Sequence, residues 1–380
     1  MPPVQTISTG FVVAIVGFFS SFPIVLSGLA GIGAAPDQAA SGLMFASIAM
    51  GLAGIGLSLW RKQPISVAWS TPGVALLAVT APSPDGFAGA VAAFLVAGVL
   101  TVIAGIWRPL GRLAQAIPGP IAQAMLAGVL LSLCVVPFQA LAHIPHLALP
   151  VILTWFVFGR FNKLFATPAA VIVAALATVW STGFIIPAPP SMLTQPAWVT
   201  PSFSLYAALS IGVPLFIVTM ATQNIPGIAI LRAHGYQTAP GPLFTSVGGA
   251  SILSAPFGAP ATCLAAITAA MCANEESHSD PAQRYWSAVM AGLFYCLLGL
   301  FAGVITSFAG LAPEYLLGTL AGVALLGVFA NSAQAALEDA QYREAAAITF
   351  VVTASGVSLF GLSAAVWGLV IGGAVQLTRR

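Results

Sequence analysis

Apolar runs of about twenty residues recur from one end of this 380-residue chain to the other. A helix of that length crosses the roughly 30 Å hydrocarbon layer of a bilayer. Charged residues make up 5% of the chain and hydrophobic residues 59%, whereas a soluble domain has roughly 25% charged residues. So few ionisable groups cannot cover a soluble surface. The sequence therefore predicts an all-α polytopic protein embedded in a lipid bilayer.

The apolar runs predict fourteen membrane segments, separated by short polar or proline-rich connections. Their approximate bounds are 10–33, 38–60, 65–82, 86–106, 114–135, 141–158, 164–182, 204–231, 239–254, 256–273, 285–308, 312–331, 343–359 and 361–378.

The basic residues support this segment count. If the N-terminus lies inside, every one of the eleven follows an even-numbered segment. They are Arg61, Lys62, Arg108, Arg112, Arg160, Lys163, Arg232, Arg284, Arg343, Arg379 and Arg380. Cytoplasmic connections of membrane proteins carry an excess of Lys and Arg. Both termini are therefore expected to be cytoplasmic.

A long outer connection, Thr182 to Ser202, contains five prolines and separates seven segments from the other seven. Because seven is odd, the second half enters the membrane from the opposite side, and a structural repeat would be inverted. Two weak internal similarities fit such a repeat. S-S-F-P in segment 1 parallels Q-N-I-P in segment 8, and W-S-T-P-G in segment 3 parallels F-G-A-P-A in segment 10.

Segment 10 cannot be one regular helix, since Pro256, Gly258 and Pro260 lie within five residues. Such breaks at membrane depth persist where they are buried in protein or line a cavity. We predict an extended piece followed by a half-helix that starts near Pro260, with segment 3 arranged in the same way. The free amides of a helix N-terminus attract small anions. The alternative is a proline-kinked helix without a site.

If segments 3 and 10 meet at the membrane midplane, two positive helix ends could hold a carboxylate without an arginine. The candidate lining residues are Trp69, Ser70, Thr71 and Gly73 in segment 3, and Phe257, Gly258, Ala259 and Thr262 in segment 10. Trp69 and Phe257 could hold an aromatic ring between them, although aromatic residues in membrane cores more often simply pack.

The most polar intramembrane pair is Gln223 and Asn224 in segment 8. An unsatisfied amide in hydrocarbon is costly, so each needs a ligand or a neighbouring helix as its partner. Ser20 and Ser21 are weaker candidates, because a serine can bond to its own helix backbone. Neither a metal-ligand spacing nor a catalytic motif is present, and an enzyme, a metal site, a cofactor and nucleic-acid binding are not expected.

Several motifs resemble the benzoate transporter family, BenE. They are T-M-A-T-Q-N-I-P-G-I-A-I-L-R-A-H-G-Y at 219–236, A-P-F-G at 255–258, L-A-A-I-T-A-A at 264–270 and H-S-D-P-A-Q-R-Y at 278–285. The resemblance implies a proton-coupled importer of benzoate or a related aromatic acid in a bacterial cytoplasmic membrane. On this basis the ring is expected among Phe22, Trp69 and Phe257, and a homodimer is left open.

The resemblance also implies kinship with the nucleobase-ascorbate transporters, whose fold has seven plus seven inverted segments and short strands in segments 3 and 10. Residues 1–113 and 204–308 would form a core domain, and residues 114–182 and 312–380 a gate domain. Two departures stand out. Nucleobase carriers look to have acidic residues at the positions of Gln223 and Ala259. The asparagine that the benzoate transporter family has near Cys263 is missing from this sequence. A nucleobase or inorganic-anion carrier and a passive anion channel remain as alternatives.

Overall fold

The computed structural model of the chain describes residues 2–107, 118–184, 191–357, 359 and 362–378. Some of the residues used in the sequence analysis lie outside this part of the chain. They are Arg108, Arg112, Arg379 and Arg380 among the basic residues, and Pro187, Pro189 and Pro190 in the long connection.

The described chain is mostly helical, with two short strands. In chain order, the elements are α1 Val4–Phe19, α2 Phe22–Gly31, α3 Pro36–Arg61, β1 Val67–Trp69, α4 Thr71–Ala78, α5 Gly86–Ile106, α6 Gly119–His143, α7 Pro145–Phe161, α8 Lys163–Ser181, α9 Leu205–Ala233, α10 Pro240–Ser254, β2 Thr262–Leu264, α11 Ala266–Ala273, α12 Tyr285–Leu300, α13 Ala302–Ala309, α14 Leu316–Leu337, α15 Arg343–Ala354 and α16 Ala364–Thr378. Single 3₁₀ turns occupy Ala255–Phe257 and Pro281–Gln283.

Seven helices of the described chain are long and apolar enough to cross a membrane. An eighth is added if α12 and α13, which meet at an angle of 57°, are counted as one bent span. The first of the seven joins α1 and α2 across a break at Ser20 and Ser21. Several of the fourteen predicted segments are shorter than a full crossing, since α7 has 17 residues and α16 has 15. The chain is a polytopic membrane protein with seven or eight long apolar spans.

Segments 3 and 10 are both interrupted, and their extended parts pair with each other. β1 and β2 form an antiparallel two-stranded sheet in which Trp69 lies opposite Thr262 and Val67 opposite Leu264. Each strand leads within two residues into a helix of eight residues, α4 or α11. The sheet satisfies backbone groups that lipid could not.

The predicted start of the second half-helix near Pro260 is wrong, because α11 begins at Ala266. Gly258 has φ +84°, in the left-handed region, and ends the preceding 3₁₀ turn. The residues that follow are then held extended: Ser70 N donates to Ala261 O at 2.8 Å, and Thr262 N donates to Ser251 Oγ at 2.8 Å. Pairing with β1 therefore overrides the local preference of proline for a first helical position.

α9 contains two wide turns with π-helical hydrogen bonding, Ala208–Gly212 and Met220–Asn224. Pro214 and Pro226 each lie two residues beyond one of these turns. A proline inside a helix lacks an N–H and clashes with the carbonyl four residues earlier, and a wider turn relieves that clash. Gln223 and Asn224, both in the second turn, project from different sides of α9.

The helices pack as two groups. In the first group α3 packs on α12, α5 on α10, and α1 on α12, with the small sheet attached to this group. In the second group α14 packs on α6, α15 on α6 and α16, and α7 on α8. The N-terminus and the connections after α3, α9 and α11 meet at one end: Gln5 Nε2 donates to Glu276 O, and Gln63 Nε2 to Gln237 O, each at 3.0 Å. This end carries Arg61, Lys62, Arg232 and Arg284, and we call it the basic end.

Candidate functional site

A cavity of about 350 Å³ lies between the two groups of helices. We call it the central cavity. The first group contributes the break between α1 and α2, the strand β1, the N-termini of α4 and α11, and parts of α9 and α12. The second group contributes α8 and α14. This volume is in the range of small-molecule sites, roughly 300–1,000 Å³.

The N-terminus of α11 opens directly onto the central cavity. Ala265, Ala266, Ile267 and Thr268 all line it, and no side chain caps the helix. The first amides of a helix have no acceptor within the helix itself. The Thr268 hydroxyl is bonded to Ser66 Oγ at 2.7 Å. The amides of this first turn are therefore available to an anion in the cavity, and the helix dipole adds a partial positive charge.

The N-terminus of α4 also reaches the cavity, through Thr71 and Pro72. It is capped from within: Ser70 Oγ accepts from Gly73 N at 3.2 Å, and the Ser70 carbonyl accepts from Val74 N at 2.8 Å. Ser70 is fully buried and its Oγ also accepts from Thr219 Oγ1 at 2.8 Å. Ser70 and Gly73 are thus bonded within the protein. Of the three residues predicted at the α4 N-terminus, Ser70, Thr71 and Gly73, Thr71 is the one that lines the cavity.

Gln223 and Asn224 have different surroundings. Gln223 lines the cavity, and its amide has no hydrogen-bond partner among the residues that the structure describes. Asn224 is fully buried; its Oδ1 accepts from Leu264 N at 2.9 Å, and its Nδ2 contacts Met220 Sδ at 3.2 Å. Asn224 therefore holds β2 in place, while Gln223 is free to contact a ligand.

The aromatic wall of the cavity is made by Trp69 and Tyr295. Trp69 Nε1 donates to Ser21 Oγ at 2.9 Å, and Ser21 Oγ donates to Gly17 O at 2.8 Å. A side chain at Gly17 would overlap the Tyr295 hydroxyl, so glycine permits the close approach of α1 and α12 there. Ser20 also lines the cavity and makes no side-chain hydrogen bond within the described residues. Ser21 orients Trp69, whereas Ser20 presents a free hydroxyl.

Eight of the thirteen predicted site residues do not line the central cavity. Ser70, Gly73 and Asn224 are three of these, and the other five belong to segments 1 and 10. Phe22 packs on Phe18, with ring centroids 5.8 Å apart. Phe257 stacks on Phe45 at 3.8 Å, at the end of the molecule opposite the basic end. The other three are Gly258, Ala259 and Thr262, which precede or form β2. The four segment 10 residues, 257–259 and 262, do not reach the cavity because the half-helix starts six residues later than predicted. Phe22 does not line it because its ring packs within the first helix pair.

Sequence reasoning missed several lining residues. Lys163, Thr167 and Asn331 come from α8 and α14, and Ala266 is the true start of α11. The run T-C-L before A-A-I-T-A-A was a usable signal, because it parallels V-A-W before the α4 half-helix. No comparable signal marks Thr167 or Asn331. Among the described lining residues none is acidic, and Lys163 is the one basic residue.

Comparison with known proteins identifies the family. The model of a family described as benzoate membrane transport protein matches residues 2–378. The chain is 37% identical over 371 residues to the inner membrane protein YdcO of Escherichia coli, covering 98% of this chain and 95% of that protein. It is 34% identical over 327 residues to the benzoate membrane transport protein of Acinetobacter baylyi, covering 86% and 82% of the two chains.

Solved structures share the fold at low sequence identity. The transmembrane domain of the cyanobacterial bicarbonate transporter BicA is similar with a TM-score of 0.62 and 18% identity, over 99% of this chain and 96% of that domain. SLC26A9 is similar with a TM-score of 0.66 and 12% identity, over 99% of this chain and 65% of that one. Since the family match spans nearly the whole sequence, the chain belongs to the benzoate membrane transport family, BenE.

Proposed function

We propose that this protein is a secondary active transporter that imports benzoate or a similar aromatic carboxylate together with a proton. The observation that carries the proposal is the uncapped N-terminus of α11 opening onto a cavity with an aromatic wall. Free amides suit a carboxylate, and the Trp69 ring suits the aromatic part of the same molecule. The family and its benzoate-transporting member support this choice of substrate.

In the proposed complex the carboxylate lies at the amides of Ala266, Ile267 and Thr268, and the ring lies against Trp69. Gln223 and Ser20 have free polar groups at the cavity wall, and they fix the orientation of the substrate. Among the described residues that line the cavity there is no carboxylate that would repel an anion. The proton is carried either on the substrate's own carboxyl group or on a group outside the cavity lining.

For the architecture we propose fourteen segments in two inverted sets of seven. The support is the antiparallel pairing of β1 with β2 and the half-helix that follows each strand. Residues 1–113 and 204–308 then form the core, and residues 114–182 and 312–380 form the gate. The central cavity lies between these two bodies, so that their relative movement alternates access to it.

We place the basic end on the cytoplasmic side of a bacterial inner membrane. Arg61, Lys62, Arg232 and Arg284 lie at that end, and basic connections are cytoplasmic as a rule. The N-terminus lies there too, because Gln5 contacts Glu276. The family member from E. coli is described as an inner membrane protein.

Uptake of radiolabelled benzoate into proteoliposomes tests the proposal. With the interior made alkaline, wild-type protein should accumulate benzoate above its external concentration. Gln223→Ala should reduce that uptake severalfold, because the free amide opposite the α11 N-terminus is lost. The matched control is Gln334→Ala, since Gln334 is an exposed glutamine of α14 outside the cavity lining. Equal loss in both variants, or no accumulation by the wild type, would contradict the proposal.

The second candidate is an inorganic-anion carrier on the same fold. It is favoured by the α11 amides themselves, which can hold any small anion. The same assay separates the two: excess unlabelled bicarbonate or sulfate should leave benzoate uptake unchanged, and related aromatic acids should compete. Uracil tests a nucleobase carrier in the same way. A passive channel would equilibrate benzoate without concentrating it.

A further inference from the structure

Among the residues that the structure describes, one basic side chain, Lys163, lines the central cavity. It is the first residue of α8, which belongs to the second group of helices, whereas α11 belongs to the first. α7 ends at Phe161, so that Lys163 adjoins the short connection between two helices of the same group. A cation at this position is unfavourable for the helix, whose N-terminus already carries partial positive charge. Stabilisation of α8 therefore does not explain why a lysine occupies this position at the cavity.

Two backbone N–H groups in the first turn of α8 are already bonded. Asn162 caps the helix, with its Oδ1 accepting from Leu164 N at 2.9 Å, and its carbonyl accepting from Phe165 N at 3.2 Å. An anion near this end would therefore be bound chiefly by side chains. Lys163 supplies three N–H donors on a flexible stem.

Thr167 lies one helical turn beyond Lys163 and on the same face of α8. It is only 7% exposed, yet it lines the cavity, and its hydroxyl has no partner within the described residues. Thr178, on the same helix, behaves in the ordinary way and donates to Ala174 O at 2.9 Å. Asn331 lies on α14, which packs on α8. It also lines the cavity, and its amide makes no hydrogen bond to described residues.

We infer that Lys163, Thr167 and Asn331 form a second carboxylate-binding subsite on the part of the cavity wall that α8 and α14 contribute. The inference rests on the proposed function, since its ligand is the carboxylate of the same aromatic cargo. A charge, a buried unpaired hydroxyl and a free amide together provide the donors that a carboxylate accepts. These side chains are separate from the α11 amides, because they belong to the other group of helices.

The two subsites belong to different bodies of the molecule. The α11 amides are in the first group of helices, and Lys163 and Asn331 are in the second. If the groups move relative to each other during transport, the anion passes from one set of donors to the other. In the conformation described here both sets of residues line one cavity, and the second subsite acts in this conformation. It draws carboxylates, but not neutral aromatic molecules, into that cavity.

Equilibrium binding to the purified full chain in lipid nanodiscs tests the inference. The probes are radiolabelled benzoate and, as an uncharged molecule of the same shape, benzamide. Lys163→Gln should raise the Kd for benzoate about threefold to fivefold, the range for an exposed charge pair, and leave the Kd for benzamide unchanged. Raising KCl should weaken benzoate binding more in the wild type than in the variant, because salt screens the lysine charge.

Arg160→Gln is the matched control, since Arg160 is an exposed cation three residues earlier that does not line the cavity. It should bind both probes as the wild type does, and Lys163→Arg should retain most of the benzoate affinity. Thr167→Val supplies an independent variant and should weaken benzoate binding alone. If Lys163→Gln and Arg160→Gln bind benzoate equally, the subsite is refuted while the proposed function stands. A wild-type protein that binds no benzoate overturns both.

Discussion

The half-helices α4 and α11 have the same length and follow paired strands, but their N-termini are treated differently. α4 is capped by Ser70, which accepts from Gly73 N. α11 follows Ala265, which cannot cap, and its first turn faces the central cavity. The strand before α11 is held from outside, by Asn224 on Leu264 N and by Ser251 on Thr262 N.

Under the proposed function, this difference distinguishes a structural half-helix, α4, from a half-helix that binds the substrate, α11. Where a serine occupies the N-cap, the freed donors of the broken segment are used within the protein. Where alanine occupies it, those donors remain for a ligand, and side chains elsewhere must hold the backbone in position. Similar interrupted segments in one molecule therefore need not bind the substrate equally.

The largest expected effect comes from Ala266→Pro. Proline is tolerated at the first position of a helix, and Ala265 has φ −97° and ψ 125°, which suits the residue before a proline. The variant removes one free amide without breaking α11. A hydrogen bond to a charged group contributes about 1.5–3 kcal/mol, so benzoate affinity should fall roughly 10- to 150-fold.

Isothermal titration calorimetry measures this change, and the melting temperature serves as the control for folding. An unchanged melting temperature with unchanged benzoate affinity would show that the α11 amides are not the anion site. The difference in N-terminal capping between α4 and α11 would then have no consequence for substrate binding.

Asn224→Ala should give the next largest effect, and chiefly on stability. It leaves Leu264 N buried without its partner, at a cost of about 1–3 kcal/mol. The melting temperature should fall, and hydrogen exchange at Leu264 should accelerate relative to Val67 in the paired strand. A variant that kept full stability but lost benzoate binding would instead identify Asn224 as a direct ligand of the substrate.

Ser70→Ala should produce the smallest effect of the three. Loss of an N-cap serine costs typically about 1 kcal/mol of stability, and here Thr219 also loses its acceptor. Benzoate affinity should remain close to that of the wild type, because the capped amides do not serve the ligand. If Ser70→Ala weakened benzoate binding as strongly as Ala266→Pro, the two half-helices would be equivalent sites.

Much of this protein was determined by the sequence alone. Scarce charge and recurrent apolar runs require a polytopic membrane protein, because polar backbone in lipid must be satisfied within helices or closed pairings. Clustered prolines and glycines in segments 3 and 10 required interruptions, since proline removes a backbone donor. Trp69 and Thr71 adjoin the break in segment 3, and Ser20 and Gln223 precede the prolines of segments 1 and 8, so the sequence also indicated these four lining residues.

Tertiary structure decided the rest. The half-helix starts at Ala266 because pairing with β1 keeps residues 262–264 extended, and this pairing depends on chain far away in the sequence. The wide turn in α9 directs Gln223 to the cavity and Asn224 to β2, a choice that two adjacent amides do not reveal. The sequence presents Lys163 as an ordinary residue of a basic connection, and only the packing of the two groups of helices makes it line the same cavity as the α11 N-terminus. Local patterns specify where the chain breaks, whereas long-range contacts specify which freed groups remain unpaired.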